Sequence, residues 1–132
     1  MTETDVNLEV IHLIPDMYDK DVNIADRIFS YGCLHHVNGE TQDGKGPEVV
    51  KASIKGINAN FSDSRTVFDE IISGGTRVAV RWTWTGKSLQ TGELWEFRGN
   101  TIFHLDAGKV VEYWAIDNRY NEMQRRQAAG PS

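Results

Sequence analysis

The second half of the chain is a succession of strand-like segments, and this feature limits the fold most. Between residues 65 and 117, the segments RTVFDEIIS, TRVAVRWTWTG, ELWEFRG, NTIFHL and KVVEYWAID are rich in β-branched and aromatic residues. The turn signals SGGT and LDAGK lie between them. Because side chains alternate along a strand, Trp82 and Trp84 share one face with Val78 and Val80. The pattern predicts a meander of about four antiparallel strands.

The first half of the chain has helical spacing instead. Apolar positions recur on one side of residues 3–19, which predicts an amphipathic helix that Pro15 kinks or breaks. NIADRIFS predicts a second short helix, CLHHV a short strand, and Pro47 the first turn of a third helix. Helices followed by antiparallel strands indicate the α+β class. A strongly curved sheet packed on these N-terminal helices would form a cone with an internal pocket, an α+β barrel.

Length, charge and motifs narrow the class of protein. The 132 residues suit one domain, spanning 1–132. The formal net charge of -5 argues against nucleic-acid or anionic-membrane partners, which need a basic surface. The N-terminus MTETDVNLEV does not have the pattern of a secretory signal, so we expect a cytoplasmic protein. Cysteine clusters and His-Glu-x-x-His motifs are absent from the sequence, and we predict no metal site. The tail QAAGPS is expected to fray.

Several phrases, in their order, resemble the SnoaL-like polyketide cyclase family of the nuclear transport factor 2-like superfamily. They are NANFSDSRTVFDEIISGGTRVAVRWTWTGK and, later, GKVVEYWAID. The resemblance covers the core, about residues 5–127, and its most specific pieces are Phe61-x-Asp63, RWTWTG and the Gly-Lys turn that leads to a Trp and then an acid. It implies a cone of curved antiparallel sheet and three helices. It also implies aldol ring closure without metal or organic cofactor, an acid at the end of the last long strand, and a homodimer.

Asp117 is the candidate for that acid. A carboxylate at the inner end of the apolar strand VVEYWAI would lose hydration, which raises its pKa and suits it to proton transfer. The alternative is that Asp117 caps the polar segment that follows. In the family pattern the acid falls four residues after the strand Trp, which here places Asn118 at that position. A β-bulge would restore Asp117 to the pocket, and without one Asp117 faces away from Trp114.

Two histidines complete the predicted catalytic set. His104 lies in NTIFHL on the same strand face as Ile102, and could pair with an acid across the sheet. His35 and His36 are adjacent, so on a strand they point to opposite faces and cannot bind one metal together. Since family members often have a histidine at this part of the pocket wall, we choose His36 as the one that faces the pocket. Each of these histidines could instead be an ordinary packed or surface residue.

Four residues are candidates for contact with a substrate. Tyr18 ends the first helical segment, and in several relatives tyrosines from this helix reach the pocket, where a phenol can donate to an enolate oxygen. Trp84 and Trp114 are candidates because ligand pockets are mostly apolar, and Asn118 because of its position after Trp114. The alternative for the tryptophans is the hydrophobic core or a dimer interface.

These observations lead to two hypotheses of function. The first is a cofactor-free polyketide-cyclase-like enzyme that moves protons, in aldol cyclisation or isomerisation, on a small apolar cyclic ketone or ester. The second is a non-catalytic small-molecule-binding or accessory protein on the same fold. In both cases the expected partners are a small apolar ligand and a second copy of the chain.

Overall fold

One curled sheet, with helices packed in its concave side, is the main feature of the protein. The structure is a computed structural model and describes residues 2–129. Within these residues six strands are ordered β2-β1-β6-β5-β4-β3 across the sheet. They are β1 Phe29–Val37, β2 Glu40–Thr41, β3 Phe61–Gly74, β4 Arg77–Ser88, β5 Leu94–Asp106 and β6 Lys109–Asp117. Neighbouring strands are antiparallel except β1 and β6, which are parallel. The predicted α+β class is confirmed, and the sheet curls without closing.

The helices begin and end close to the predicted positions. They are α1 Glu3–Ile11, α2 Ile14–Asp19, a 3-10 turn Val22–Ile24, α3 Ala25–Ile28, α4 Pro47–Asn60 and α5 Arg119–Ala129. Pro15 lies in the first turn of α2, so the predicted break separates α1 from α2. Helix α5 was not predicted. It includes residues 127–129 of the tail expected to fray, and residues 130–132 lie outside the described residues. Between residues 2 and 129 no helix combines the length and the apolar character needed to cross a membrane.

The inner face of the sheet is fully buried at one end and half-buried at the other. Val78, Val80 and Leu105 are at most 2% exposed and pack against buried side chains of α1, α2 and α4. Farther along the same face, Trp82, Phe97 and other inward side chains are only partly buried. The core therefore fills one end of the inner face, and aromatic side chains cover the other end.

Two glycines allow tryptophan rings to lie flat on this inner face. A Cβ at Gly99 would lie 2.5 Å from both the Ile116 carbonyl oxygen and the Trp82 ring. A Cβ at Gly86 would lie 2.5 Å from the Trp84 ring. Real Cβ atoms do not approach other atoms this closely, so both positions require glycine. The alternation that put Trp82 and Trp84 on one face with the valines is confirmed, and that face is the inner one.

The outer face carries a row of apolar side chains. We define the outer row as the four residues that are successive partners across β3, β4, β5 and β6: Ile72, Ala79, Ile102 and Trp114. Ile72 is 62% exposed and Ile102 is 47% exposed. Monomeric proteins seldom expose a continuous apolar strip of this kind, so the outer row is a feature to be explained.

Candidate functional site

Asp117 lies on the inner face of the curled sheet. Strand β6 pairs with β5 in unbroken register from His104 opposite Glu112 to Gly99 opposite Asp117. Since no bulge interrupts this stretch, Asp117 shares the inner face with Tyr113, and Trp114 lies on the outer face. The side chain of Asp117 is 1% exposed. Asp117 therefore reaches the inner face through the strand register alone. The β-bulge that the family pattern would have required is not needed.

Hydrogen bonds surround the Asp117 carboxylate. Its Oδ1 accepts from Asn38 Nδ2 at 3.1 Å and from the Arg119 backbone N–H at 3.0 Å. The Arg119 guanidinium donates through Nε at 2.8 Å to Oδ2. Asn38 stands in the Asn-Gly turn that joins β1 to β2, with φ of 52°, a conformation that asparagine tolerates well. The alternative in which Asp117 caps the segment after the strand is therefore correct in its geometry, because Arg119 begins α5.

The prediction that Asp117 has a raised pKa is wrong. Burial alone would raise the pKa of this carboxyl group. The hydrogen bonds from the Arg119 side chain and backbone, the hydrogen bond from Asn38 and the charge of Arg119 outweigh burial, and together they hold the pKa below its ordinary value of 3.8. Asp117 is consequently ionised at neutral pH, and it can accept a proton but has none to give.

Two tyrosine phenols interact electrostatically with Arg119 of this ion pair. Burial raises the pKa of Tyr18, with Asp117 raising it further and Arg119 lowering it. Burial also raises the pKa of Tyr113, and the neighbouring Tyr18 and Cys33 add to that effect. Both phenols therefore remain protonated at neutral pH. Tyr18, one of the predicted substrate-contacting residues, interacts electrostatically with both Asp117 and Arg119.

His35 holds Tyr113 in place and fixes the direction of its hydroxyl group. His35 is completely buried, with Nε2 2.9 Å from the Gly46 carbonyl oxygen and Nδ1 2.8 Å from the Tyr113 hydroxyl. A carbonyl can only accept, so Nε2 carries the proton and the Tyr113 hydroxyl donates to Nδ1. Burial lowers the pKa of His35, which keeps the ring neutral. The remaining lone pairs of the Tyr113 oxygen can then accept a hydrogen bond.

Several predicted site residues lie elsewhere. His36 points to the outer face, where it stacks on Trp114 and its Nε2 lies 2.7 Å from Glu112. His104 also lies on the outer face, opposite Arg77 and Glu112. The placement of His36 and Trp114 in the pocket is therefore corrected, because both residues alternate with inward neighbours. His104 shares the face of Ile102, as expected, with the acid Glu112 opposite it across the sheet, and its catalytic role remains a prediction.

Asn118 and Trp84 complete the comparison with the predicted site. Asn118 accepts a hydrogen bond from the Arg98 backbone N–H at 2.8 Å and extends the ladder beyond β6, and its contact with a substrate remains a prediction. Trp84 does face inward, but it is 6% exposed and stacks on Phe97. Its indole N–H donates to Ser64 Oγ at 2.7 Å, which in turn donates to Asp19 at 3.1 Å.

Four residues of the site were not predicted: Asn38, His35, Tyr113 and Arg119. Signals for some of them exist in the sequence. The Asn-Gly pair is the strongest short hairpin signal, and it marks Asn38 as a turn residue at a strand end. The spacing of Asp117 and Arg119 allows a local ion pair. Nothing local distinguishes His35 from His36, because the choice depends on which face of β1 meets the helices.

A recess beside Asp117 is open to solvent. It has a volume of about 370 Å³ and is lined by Asn38, Ile116, Asp117, Tyr120 and Asn121. Its walls come from the ends of β1 and β6 and from the start of α5. The recess therefore lies beside the strand end that carries Asp117, whose side chain is 1% exposed. The internal pocket expected from the sequence remains a prediction.

Comparison with known proteins gives a consistent result. The family model described as SnoaL-like polyketide cyclase matches residues 9–126. TsrD from Streptomyces laurentii is 15% identical, with a TM-score of 0.83 over 98% of this chain and 99% of that one. AclR from Streptomyces galilaeus, a proposed hydroxylase, is 19% identical, with a TM-score of 0.82 over 98% and 85%. No curated protein matches the chain. The resemblance seen in the sequence is confirmed, and the solved structures establish the cone-shaped fold.

Substitution of His35 and His36 tests the assignment of His35 to the inner face of the sheet and of His36 to the outer face. His35→Phe keeps a ring but leaves the Gly46 carbonyl and the Tyr113 hydroxyl without their partner, so we expect the free energy of unfolding to fall by about 2–4 kcal/mol. His36→Phe removes a partly exposed pair and should cost less than about 1 kcal/mol. Urea unfolding at pH 7.5 measures both values. Equal losses for the two variants would contradict the assignment of faces.

Asp117 should stabilise the fold only when it is ionised. Asp117→Asn weakens hydrogen bonds to Arg119, which is half-exposed, so we expect a loss of about 1–2 kcal/mol at pH 7. Because the folded pKa lies below 3.8, this contribution is present above that pH and disappears as the pH falls through the folded value. Urea unfolding of both proteins from pH 7 down to pH 3 measures the difference. A variant equal to or more stable than the wild type at pH 7 would contradict the pairing.

Proposed function

Because this chain belongs to the SnoaL-like polyketide cyclase family, we propose that it is a cofactor-free enzyme that moves protons on a small apolar cyclic ketone or ester. Family membership supports a cyclase-like or hydroxylase-like activity in general. The single observation that carries the finer proposal is the Asp117 carboxylate, which is 1% exposed and ionised on the inner face, where it interacts electrostatically with the protonated phenol of Tyr18. A shielded carboxylate beside hydrogen-bond donors is what enolisation of a ketone requires.

Asp117 is the base in this proposal. Its carboxylate accepts a proton from the carbon next to the substrate carbonyl, and the electron pair moves onto the carbonyl oxygen to give an enolate. The lowered pKa makes Asp117 a weak base but keeps it fully ionised at neutral pH. Asn38 and Arg119 hold the carboxylate in one orientation, which favours a fixed approach to the substrate.

Tyr18 and Arg119 stabilise the enolate oxygen. The phenol of Tyr18 stays protonated, and the guanidinium of Arg119 stays positively charged because its hydrogen bond to Asp117 raises its pKa. Both groups lie close enough to Asp117 for their charges to interact with it. When the enolate carbon attacks a second carbonyl of the same molecule, the new alkoxide takes the proton back from Asp117. The cyclisation therefore consumes and releases no net proton.

Deuterium exchange tests the proposed enolisation. We expect the wild type to accelerate the incorporation of deuterium from D₂O at the carbon next to the carbonyl of 2-tetralone. Proton NMR measures this exchange. Asp117→Asn should reduce this acceleration at least about 100-fold, as expected when a general base is removed. Glu112→Gln is the matched control, because Glu112 is on the same strand but on the outer face, where it contacts His36.

Two results would contradict the enzymatic proposal. One is a wild-type rate no faster than that of the buffer. The other is full exchange activity in Asp117→Asn. Ligand binding without exchange would favour the alternative function, a small-molecule-binding or accessory protein. The hydrogen bond from the Arg119 backbone N–H to Asp117, which caps the start of α5, also supports this alternative.

We further propose that the outer row is the interface of a homodimer. Its apolar side chains are flanked on the sheet by charged ones, including Arg77, Glu112, Glu70 and Arg81. An apolar centre with a polar rim is the usual arrangement of a protein–protein interface. Two copies related by a twofold axis would each bury the outer row against the other.

A charge placed in the outer row should dissociate this dimer. We expect Ile102→Glu to convert the dimer to a folded monomer, because an unpaired carboxylate would be buried at the interface. Leu89→Glu is the control, since Leu89 is 59% exposed but lies outside the outer row. Light scattering at about 10 µM, a concentration at which an interface of ordinary affinity is occupied, gives the masses. A wild-type monomer, or dissociation by both variants, would refute the proposal.

A further inference from the structure

Helix α5, Arg119–Ala129, lies beside the sheet without burying an apolar side chain among residues 119–127. Its two large apolar side chains stay in solvent, with Tyr120 67% and Met123 47% exposed. Glu122 and Arg126 are the half-buried side chains of this stretch, and both are charged. A segment with few buried apolar contacts opens at a lower free energy than the core. What holds α5 in place is therefore its polar contacts.

The first polar contact covers the Asp117 carboxylate. One contact to its oxygens comes from Asn38 Nδ2, and four come from Arg119, the first residue of α5. The Arg119 backbone N–H and Nε reach Oδ1 at 3.0 and 2.9 Å, and Nε and Nη2 reach Oδ2. A carboxylate has about four lone-pair positions in all. In this conformation Asp117 consequently has no position left at which a substrate could deliver a proton.

The second polar contact is a clamp that Arg126 forms with residues 93–95, at the start of β5. The guanidinium donates to Glu93 at 2.8 Å and to the Leu94 carbonyl oxygen at 2.9 Å, and it lies over the Trp95 ring, 4.1 Å from the centroid. The Glu93 side chain is 64% exposed, and ion pairs at the surface contribute little to stability. With the clamp closed, the Trp95 indole N–H is buried and, within residues 2–129, unpartnered, which is itself unfavourable. The clamp is therefore weak enough to open.

The residue before α5 is bound to the sheet independently of the helix. The Asn118 backbone N–H donates to the Arg98 carbonyl oxygen at 3.1 Å, and the Asn118 side-chain oxygen accepts from the Arg98 N–H at 2.8 Å. Asn38 binds Asp117 through its own amide, with Nδ2 donating at 3.1 Å and Oδ1 accepting from the Asp117 N–H at 2.8 Å. Movement of α5 would therefore begin after Asn118, and Asp117 would keep its place on the inner face.

We propose that α5 is a lid over Asp117, closed in this conformation and opened when the Arg126 clamp is released. The inference rests on the proposed function for the role of Asp117, and it adds control over access to this carboxylate. Opening removes the Arg119 guanidinium and exposes Asp117 to the recess at the end of β6. Closing over a bound ketone returns the guanidinium, which then donates to the enolate oxygen. The resting enzyme thus keeps its base covered until a substrate enters.

Amide hydrogen exchange, followed residue by residue by NMR, tests the lid without a substrate. An isolated helix of 11 residues is marginal in water, so release of α5 exposes its amides. We expect these amides to exchange at least about 100-fold faster than those of Val78 and Val80 in the core. Arg126→Ala should accelerate them about a further fivefold, because it removes the clamp. Arg125→Ala is the matched control and should change them less than about twofold, since the pair of Arg125 with Glu122 lies within the helix.

The amides at the start of α5 distinguish a lid from fraying of the last turn. The Arg119 N–H donates to Asp117, and the Glu122 N–H donates to the Asn118 carbonyl oxygen. We expect Arg126→Ala to accelerate exchange at both of these amides, although they lie at the other end of the helix from the clamp. Acceleration confined to residues after 122, equal acceleration by Arg125→Ala, or wild-type α5 amides as slow as those of the core would each overturn the proposal.

A covalent lock tests whether opening admits a substrate. In Glu93→Cys/Arg126→Cys the new thiols replace side chains that meet in the closed conformation, so bismaleimidoethane can join them. Cys33 is completely buried, and burial raises the pKa of its thiol to about 12, so it does not compete. We expect the joined protein to lose deuterium incorporation into 2-tetralone, and the same variant capped with N-ethylmaleimide to retain it. Incorporation by the joined protein would overturn the lid. A wild type whose α5 opens but which incorporates no deuterium would reject the enzymatic proposal alone.

Discussion

The constraint on which the site depends is the unbroken register between residues 99–104 of β5 and residues 112–117 of β6. A strand has two faces, and a shift of one residue in the pairing would move every side chain of that strand to the opposite face of the sheet. With Gly99 opposite Asp117, the inner face receives Tyr113 and Asp117, and the outer face receives Glu112 and Trp114. Gly99 also leaves room for the Trp82 ring beside Asp117. The interior acid–phenol cluster and the outer row are thus two results of one pairing.

The second requirement is that a buried carboxylate must have partners. Asp117 has Asn38, Arg119 and the first backbone N–H of α5, and these bonds connect the end of β6 to the β1–β2 turn and to α5. They hold the carboxyl group ionised in spite of burial. Structural and catalytic roles do not exclude each other here, because the bonds that stabilise the strand end also orient the proposed base.

Much of the fold could be predicted because local periodicity determines it. Three features that depend only on nearby residues were located correctly. They are the start of α4 at Pro47, the alternation of valine and tryptophan in β4, and the helix break at Pro15. The parallel pairing of β1 with β6 could not be predicted, since it joins segments distant in the chain. The same pairing decides that His35 points inward and His36 outward, so the histidine assignment was wrong. The pKa of Asp117 was predicted from burial alone, without the guanidinium of Arg119.

The central claim is that Asp117 is an ionised, paired carboxylate on the inner face of the cone. Carbon-13 NMR titration of the Asp117 carboxyl group measures its pKa directly, in the wild type and in Arg119→Gln. We expect the wild-type group to titrate below 3.8 and the variant to titrate at a higher pH, because the guanidinium supplies much of the stabilisation of the charged form. A wild-type pKa above 3.8, unchanged by Arg119→Gln, would contradict the account.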